Sequence, residues 1–155
     1  MRKYILLFVC CSMLVLLTAQ TAPAALVTAE DPGAILALAK GYGFAELDTD
    51  KDGDPLIAGR IEGEKYIIVF QGCSNGKNCR SIQFATYWEK NIKYEDINAW
   101  NNKVRYTRAY INTKGNLWIE LDVMLRHGMT EKNLDEYFSI WKNSLKAFKK
   151  EVLKE

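Results

Sequence analysis

The spacing of hydrophobic positions changes several times along this chain, and each spacing predicts one kind of element. Apolar and polar residues alternate from Leu117 to Arg126, which predicts a half-buried β-strand. The run Tyr66–Phe70 is aromatic or β-branched throughout, with apolar side chains on both faces, so it predicts a central strand covered on both sides. Shorter apolar runs predict further strands at residues 44–48, 56–62, 82–88 and 105–112.

Three other segments have the spacing of an amphipathic helix. Asp31 can cap the first helix, and Pro32 is favourable at its first position. The second helix covers residues 94–104, and the third begins at Thr130. The predicted order is helix, four-stranded meander, helix, hairpin and helix (α-β4-α-β2-α). This order predicts an α+β fold with an antiparallel sheet of about six strands and three helices.

A loop rich in turn-forming residues separates the two strands of the central hairpin, and it contains Cys73 and Cys79. We predict that these cysteines form a structural disulfide. The alternatives are a free thiol pair, a redox pair or a metal site. A redox pair favours C-x-x-C spacing near a βαβ pattern, and a metal site needs two more ligands, whereas the chain has a single histidine.

The first 24 residues have the features of a secretory signal peptide. Arg2 and Lys3 precede the apolar segment Ile5–Leu17, and small residues ending at Ala24 fit a cleavage site. We therefore predict a signal peptide over 1–24, a mature domain over 25–155, and a periplasmic or secreted protein with no stable membrane anchor after cleavage. Lipidation at Cys10–Cys11 and an uncleaved anchor are the alternatives.

Removal of this segment changes the charge balance. The chain has 21 Lys and Arg against 19 Asp and Glu, and cleavage removes Arg2 and Lys3 but no acid. The mature domain is therefore close to neutral, and its charge gives no support for nucleic-acid binding.

The most prominent motif is the acidic segment Asp48–Asp54, which matches the opening of a calcium loop, D-x-D-x-D-G. The twelfth residue of such a loop is a bidentate glutamate, and here that position is Gly59. We interpret the segment as a turn between two strands, with weak calcium binding as the alternative.

Few residues are candidates for catalysis, and the chain has no G-x-S-x-G, phosphate-loop or dinucleotide motif. We expect His127 to be solvated or to cap a turn. Glu120 and Asp122 could act as an acid–base pair, but the polar side of a strand explains them more simply. Asn98, Asn101 and Arg105 form a polar cluster. Arg105 could bind a carboxylate or phosphate, but we expect it to anchor the helix–strand junction by bonding backbone carbonyls. No catalytic residue, metal or cofactor is predicted.

Several phrases of the sequence resemble the YbjN-domain family of bacteria. They are Gly53–Ile57, Phe70–Cys73, Cys79–Phe84, Ile97–Asn101, Arg105–Tyr110, Leu121–Asp122 and Gly128–Phe148. The resemblance covers about residues 31–150. It implies a fold similar to type III secretion chaperones and a role in regulating sensory transduction, and it brings no catalytic residues.

The aromatic residues of the last two strands suggest an interaction surface. Tyr106 and Tyr110 share a face with Arg108 in the predicted strand, and Trp118 lies on the polar side of its own strand. Tyr, Trp and Arg are enriched at protein interfaces, so we predict a contact surface here for a second copy or another protein. Coverage by the terminal helix is the alternative.

The sequence thus predicts an exported, non-catalytic protein-binding or regulatory domain whose partner is unknown. A small-ligand or calcium sensor in the periplasm is the alternative function, and an unrecognised enzyme is a weaker one.

Overall fold

The computed structural model describes residues 25–155, and in this range six antiparallel strands form one sheet. The strands are β1 (Phe44–Thr49), β2 (Pro55–Ile61), β3 (Glu64–Gln71), β4 (Ser81–Trp88), β5 (Arg108–Ile111) and β6 (Leu117–Met124). Strands β1 to β4 form a meander, and β6 pairs with β4, so that the order is β1-β2-β3-β4-β6-β5. The predicted signal peptide, residues 1–24, lies outside the described residues.

Three α-helices accompany the sheet, so the predicted α+β class and element order are confirmed. They are α1 (Pro32–Tyr42), α2 (Tyr94–Lys103) and α3 (Glu131–Phe148), and the π-helical segment Lys149–Leu153 follows α3. As predicted, the Asp31 carboxylate caps α1 by accepting a hydrogen bond from the Ala34 backbone N–H at 3.0 Å. Thr130 caps α3 in the same way.

The helices pack on one face of the sheet, and this face holds the core. Phe84 of β4 packs edge-on against Phe138 at 4.9 Å and lies 5.6 Å from Trp141, both on α3. Aromatic contacts at the end of α3 extend the core: Phe148 stacks on Trp88 and meets Trp100 of α2 edge-on. The largest fully buried side chains include Trp141, Phe70, Phe84, Phe138, Phe148, Ile35, Ile57, Ile61, Ile68, Ile82, Leu117 and Ile119.

Strand β3 lies in the middle of the sheet, but the prediction that it is covered on both faces is wrong. Tyr66, Ile68 and Phe70 are buried under the helices, whereas Ile67 and Val69 on the other face are only half-buried. The aromatic and β-branched residues of β3 therefore lie on one buried face and one partly exposed face.

Tight turns hold the strands in register. Gly43 ends α1 with φ of 154°, and a Cβ atom there would approach the Arg60 carbonyl oxygen to 2.3 Å, so only glycine fits between α1 and β2. Glu62 and Gly63 both have positive φ and form the two-residue turn between β2 and β3. The Glu62 carboxylate also lies 3.2 Å from both Lys142 and Lys146, which ties this turn to α3.

Candidate binding face

The sheet face opposite the helices is the candidate functional surface, and we call it the open face. Among residues 25–155 no helix packs over it, because the buried side chains of all three helices belong to the core on the other side. The strand register arranges its side chains in rows across the sheet. One row contains Glu46, Ala58, Ile67, Ala85, Glu120 and Arg108, and the next contains Phe44, Arg60, Lys65, Tyr87, Trp118 and Tyr110.

A buried carboxylate organises the part of the open face formed by β4, β5 and β6. The Glu120 side chain is only 6% exposed, although it lies on the face without helices. Its Oε2 accepts hydrogen bonds from Arg108 Nε at 2.9 Å and Nη2 at 2.6 Å, and its Oε1 accepts one from the Tyr110 hydroxyl at 2.6 Å. Gln83 Nε2 approaches Oε2 at 3.3 Å. These donors satisfy the negative charge that burial would otherwise make costly.

The pKa values of the groups bound to Glu120 reflect this cluster. Burial, followed by the hydrogen bond to Glu120 and its negative charge, raises the pKa of Tyr110 to about 12. The hydrogen bond to Glu120 also raises the pKa of Arg108. Both groups therefore keep their protons throughout the physiological range, so neither Arg108 nor Tyr110 is suited to proton transfer near neutral pH.

Aromatic side chains lie beside this cluster. Tyr87 stacks on Trp118, with ring centroids 5.0 Å apart and planes inclined by 23°. Trp118 is half-buried, and its Nε1 has no hydrogen-bond partner among the described residues. Tyr87 is 49% exposed. The alternative that the terminal helix covers Trp118 does not apply, because α3 packs on the opposite face.

Next to the stacked pair is a depression of about 590 Å³, which we call the cleft. Its floor includes the short side chains of Ala58 and Ala85, with Ile67 between them. Phe44 on β1 and the Tyr87–Trp118 pair stand at its two ends. Two small residues in one row thus leave space between larger aromatic residues.

Two cations border the cleft. Arg60 and Lys65 are directly opposite each other on β2 and β3, and both are exposed. Neither lies within 4.0 Å of a carboxylate in the described part of the chain; Arg60 Nη1 donates instead to the Gly63 carbonyl at 3.0 Å. This pair was not predicted from the sequence, because the predicted strand 56–62 includes the first residue of the turn. With the two-residue turn at Glu62–Gly63, Arg60 and Lys65 are opposite each other.

The structure brings together three of the four residues of the predicted contact surface. Arg108, Tyr110 and Trp118 are neighbours on the open face. The prediction that Tyr106 belongs to the same strand is wrong, because β5 begins at Arg108. Tyr106 is exposed in the preceding bend, where the Arg105 guanidinium lies 5.6 Å from its ring centroid.

The helix–strand junction is anchored by a different residue from the one predicted. Asn101 Nδ2 donates to the Ala109 carbonyl at 2.9 Å, and Asn101 Oδ1 accepts from the Ala109 N–H at 2.8 Å. Arg105 makes no hydrogen bond to a carbonyl in the described region, so the expected role belongs to Asn101. His127 is exposed in the turn after β6, consistent with the expected solvated position.

The acidic segment forms a turn between β1 and β2, as predicted. The Asp50 carboxylate accepts hydrogen bonds from the backbone N–H groups of Asp52 and Asp54, both at 2.9 Å, so it stabilises the turn itself. Within residues 25–155 no group of three or more His, Cys, Asp or Glu side chains is placed to hold a metal ion. No helix in the same range is long and apolar enough to span a membrane.

The neighbouring loop between β3 and β4 contains the disulfide of Cys73 and Cys79. The same loop is closed by backbone hydrogen bonds between Ser74 and Lys77. A Cβ atom at Gly76 would lie 2.7 Å from the Gly53 carbonyl oxygen, so this loop packs closely against the acidic turn. The two loops support each other at one end of the sheet.

Fold and face together define a single-sheet α+β domain with one face buried under helices and the other open for contacts. The sequence model of the YbjN family, described as "Putative bacterial sensory transduction regulator", matches residues 31–154. The chain belongs to this family, which confirms the resemblance noted in the sequence. That description is of a regulator and names no enzymatic activity. No curated protein and no solved structure gives a significant match, and the likeness to type III secretion chaperones stays a prediction.

Proposed function

We propose that this chain is an exported, non-catalytic regulatory domain that binds a protein partner through the open face of its sheet. The observation that carries the proposal is the cleft with its aromatic ends. Phe44 is 64% exposed and Tyr87 49% exposed, on a face over which no helix of the described chain packs. Exposed aromatic residues grouped around an apolar depression are typical of interaction surfaces.

A binding role is favoured over catalysis by the chemistry of the polar groups. The Glu120 carboxylate is only 6% exposed and already accepts hydrogen bonds from Arg108, Tyr110 and Gln83, so its oxygens are not within reach of a substrate on the surface. The exposed His127 lies in a turn, away from the rows of the open face. The regulatory description of the family supports the same conclusion.

Export is supported by the N-terminal sequence and by the disulfide. A basic start, an apolar segment and small residues up to Ala24 fit a secretory signal, and structural disulfides form in oxidising compartments. The intact mass of the protein recovered from its host should correspond to a chain that begins near Ala25. A full-length mass, or a lipid mass on Cys10 or Cys11, would contradict this part of the proposal.

The partner-binding role can be tested with paired variants of β1 and β4. Tyr87→Ser removes an exposed ring from the cleft, whereas Leu47→Ser removes an exposed apolar residue from the other side of β1. We expect proteins captured from the host periplasm by the wild type to be retained by Leu47→Ser and lost by Tyr87→Ser, with the melting temperatures of both variants close to that of the wild type. Equal capture by all three proteins would refute the assignment of the open face.

A small-ligand sensor is the second candidate, because the cleft volume of about 590 Å³ is within the range of small-molecule sites. Native mass spectrometry of the protein purified from its host distinguishes the two. A stoichiometric bound small molecule that Tyr87→Ser releases would favour the sensor.

A further inference from the structure

We propose that the segment bound in the cleft carries one or two acidic side chains at its centre, flanked on both sides by apolar side chains. This inference rests on the proposed function and specifies the chemistry of the partner. It follows from three features of the cleft: an uncompensated pair of cations, a short apolar floor between aromatic ends, and acidic residues at the two extremes.

The cation pair is the primary feature. Arg60 and Lys65 are direct cross-strand neighbours, and like charges in this arrangement destabilise a sheet. Neither is neutralised by a carboxylate within 4.0 Å in the described residues. A carboxylate bound between them would replace this repulsion with two charge-assisted interactions. The domain therefore holds a preformed site for negative charge beside an apolar surface.

The apolar part of the site determines what surrounds that carboxylate. The accessible part of the floor is formed by Ala58 and Ile67, which are half-buried, whereas Ala85 is only 1% exposed. Because the Ala58 side chain is short, large side chains of a partner can approach the sheet there, between Phe44 and Tyr87. The cleft reaches from β1 to β6, which is four strand spacings or about 19 Å. A small ligand is usually enclosed over most of its surface. This long and open site is better matched to a peptide segment of about six extended residues or three to four helical turns.

The acidic residues limit how much negative charge the ligand carries. Glu46 on β1 and Glu89 after β4 also line the cleft, on either side of the Arg60–Lys65 pair. A ligand with negative charge along its whole length would meet repulsion from both glutamates. Nucleic acid and other polyanions are therefore disfavoured, and a segment with acidic residues at its centre alone is favoured.

The test uses the mature full domain and two fluorescein-labelled synthetic peptides of 14 residues. Both peptides carry leucine and phenylalanine on either side of the centre; one has two central glutamates and the other two central lysines. We expect fluorescence anisotropy to show about tenfold tighter binding of the glutamate peptide, a difference that decreases at high salt. The double variant Arg60→Glu/Lys65→Glu should reverse this preference, whereas the control Lys114→Glu, in the turn between β5 and β6, should leave it unchanged.

A second measurement requires no peptide. Because Arg60 and Lys65 repel each other, the single variant Lys65→Glu creates an opposite-charge pair and should raise the melting temperature by about 1–3 °C. Lys65 is chosen because the Arg60 side chain also donates to the Gly63 carbonyl, a hydrogen bond that Arg60→Glu would remove. A decrease in melting temperature for Lys65→Glu would contradict the uncompensated pair on which the inference depends.

Other outcomes separate this inference from the proposed function. Equal binding of the two peptides, or no response to the double charge reversal, would overturn the inference. If Tyr87→Ser still released the host partner while the charge reversal did not, the open face would remain a protein-binding surface and only the acidic specificity would fail. Concentration-dependent dimers that persist after the charge reversal would identify a second copy as an occupant that needs no acidic side chain. If dodecanoate displaced the glutamate peptide at a concentration below that of the peptide itself, a small amphiphile would be identified as the occupant of the cleft. Either result would overturn the inference.

Discussion

The pair Arg108–Glu120 gives the most direct test of how the open face is held together. The Glu120 side chain is 6% exposed and that of Arg108 63%, so one charge is buried and the other remains partly in water. Nε and Nη2 of Arg108 both donate to Oε2 of Glu120, at 2.9 and 2.6 Å. In the variant Arg108→Ala, that oxygen would keep only the hydrogen bond from Gln83, at 3.3 Å. The buried charge would then lose its main compensation.

The expected loss of stability in Arg108→Ala lies between two limits. Breaking a fully buried ion pair costs about 3–5 kcal/mol, and an exposed pair contributes about 1 kcal/mol or less. Because water can enter the space that the exposed Arg108 vacates, we expect Arg108→Ala to cost about 2 kcal/mol. Glu120→Gln keeps the shape and the bond to Tyr110, so it should cost about 1 kcal/mol. The double variant should cost about 1.5 kcal/mol, because a neutral amide at position 120 no longer needs the cation. The two single variants together cost about 3 kcal/mol, so the coupling energy between the two residues is about 1.5 kcal/mol.

Urea unfolding of the four proteins of this cycle, followed by circular dichroism, measures the coupling. Arg126→Ala, at an exposed position after β6, is the control and should change the free energy of unfolding by less than about 0.5 kcal/mol. Costs of the two single variants that add within about 0.3–0.5 kcal/mol would refute the reasoning. Glu120 would then be solvated like an ordinary surface carboxylate.

Three further predictions concern other parts of the domain. Replacing Cys73 and Cys79 with serine should lower the free energy of unfolding by about 2 kcal/mol without changing the circular dichroism spectrum; free thiols in unreduced mature protein would contradict the bond. Millimolar calcium should leave the melting temperature almost unchanged, and a saturable increase that Asp50→Ala abolishes would instead favour a calcium sensor. Burial raises the pKa of Tyr66 to about 12. The stability contributed by its protonated phenol is therefore complete below pH 10 and is lost as the pH rises through 12, by about 2 kcal/mol. Tyr66→Phe should remove this part of the alkaline loss in denaturant unfolding, and an unchanged pH profile would refute it.

The sequence was sufficient for the elements whose signals are local. These signals depend only on neighbours in the chain. They are the alternation of apolar and polar residues in β6, the caps at Asp31 and Thr130, and the two-residue repeat of side-chain direction in the hairpin strands. The first residue of β5 could not be predicted from local signals. Asn101 binds both backbone groups of Ala109, which holds the beginning of β5 against α2. The strand starts at Arg108, and nothing in the periodicity of residues 105–112 indicates this limit.

The candidate site depended on pairings that local patterns do not contain. Glu120 has the position of a solvated residue in an alternating strand. It is buried because Arg108 and Tyr110 on β5 and Gln83 on β4 converge on it from both sides. These contacts exist only because β6 inserts between β4 and β5, and the order of strands in a sheet is not encoded in the spacing within any one strand.

The bonds between Asn101 and Ala109 have a consequence for sheet growth. An edge strand with free N–H and C=O groups is a template for pairing with another chain. At β5 that template is interrupted, because both groups of Ala109 are already occupied by the Asn101 amide. At β1 the edge is longer, and Glu46 and Asp48 place two exposed carboxylates along it. A like strand approaching β1 would bring its own carboxylates into register with these. The β5 edge is therefore protected from edge-to-edge polymerisation by occupied backbone hydrogen-bonding groups. The β1 edge is protected by electrostatic repulsion.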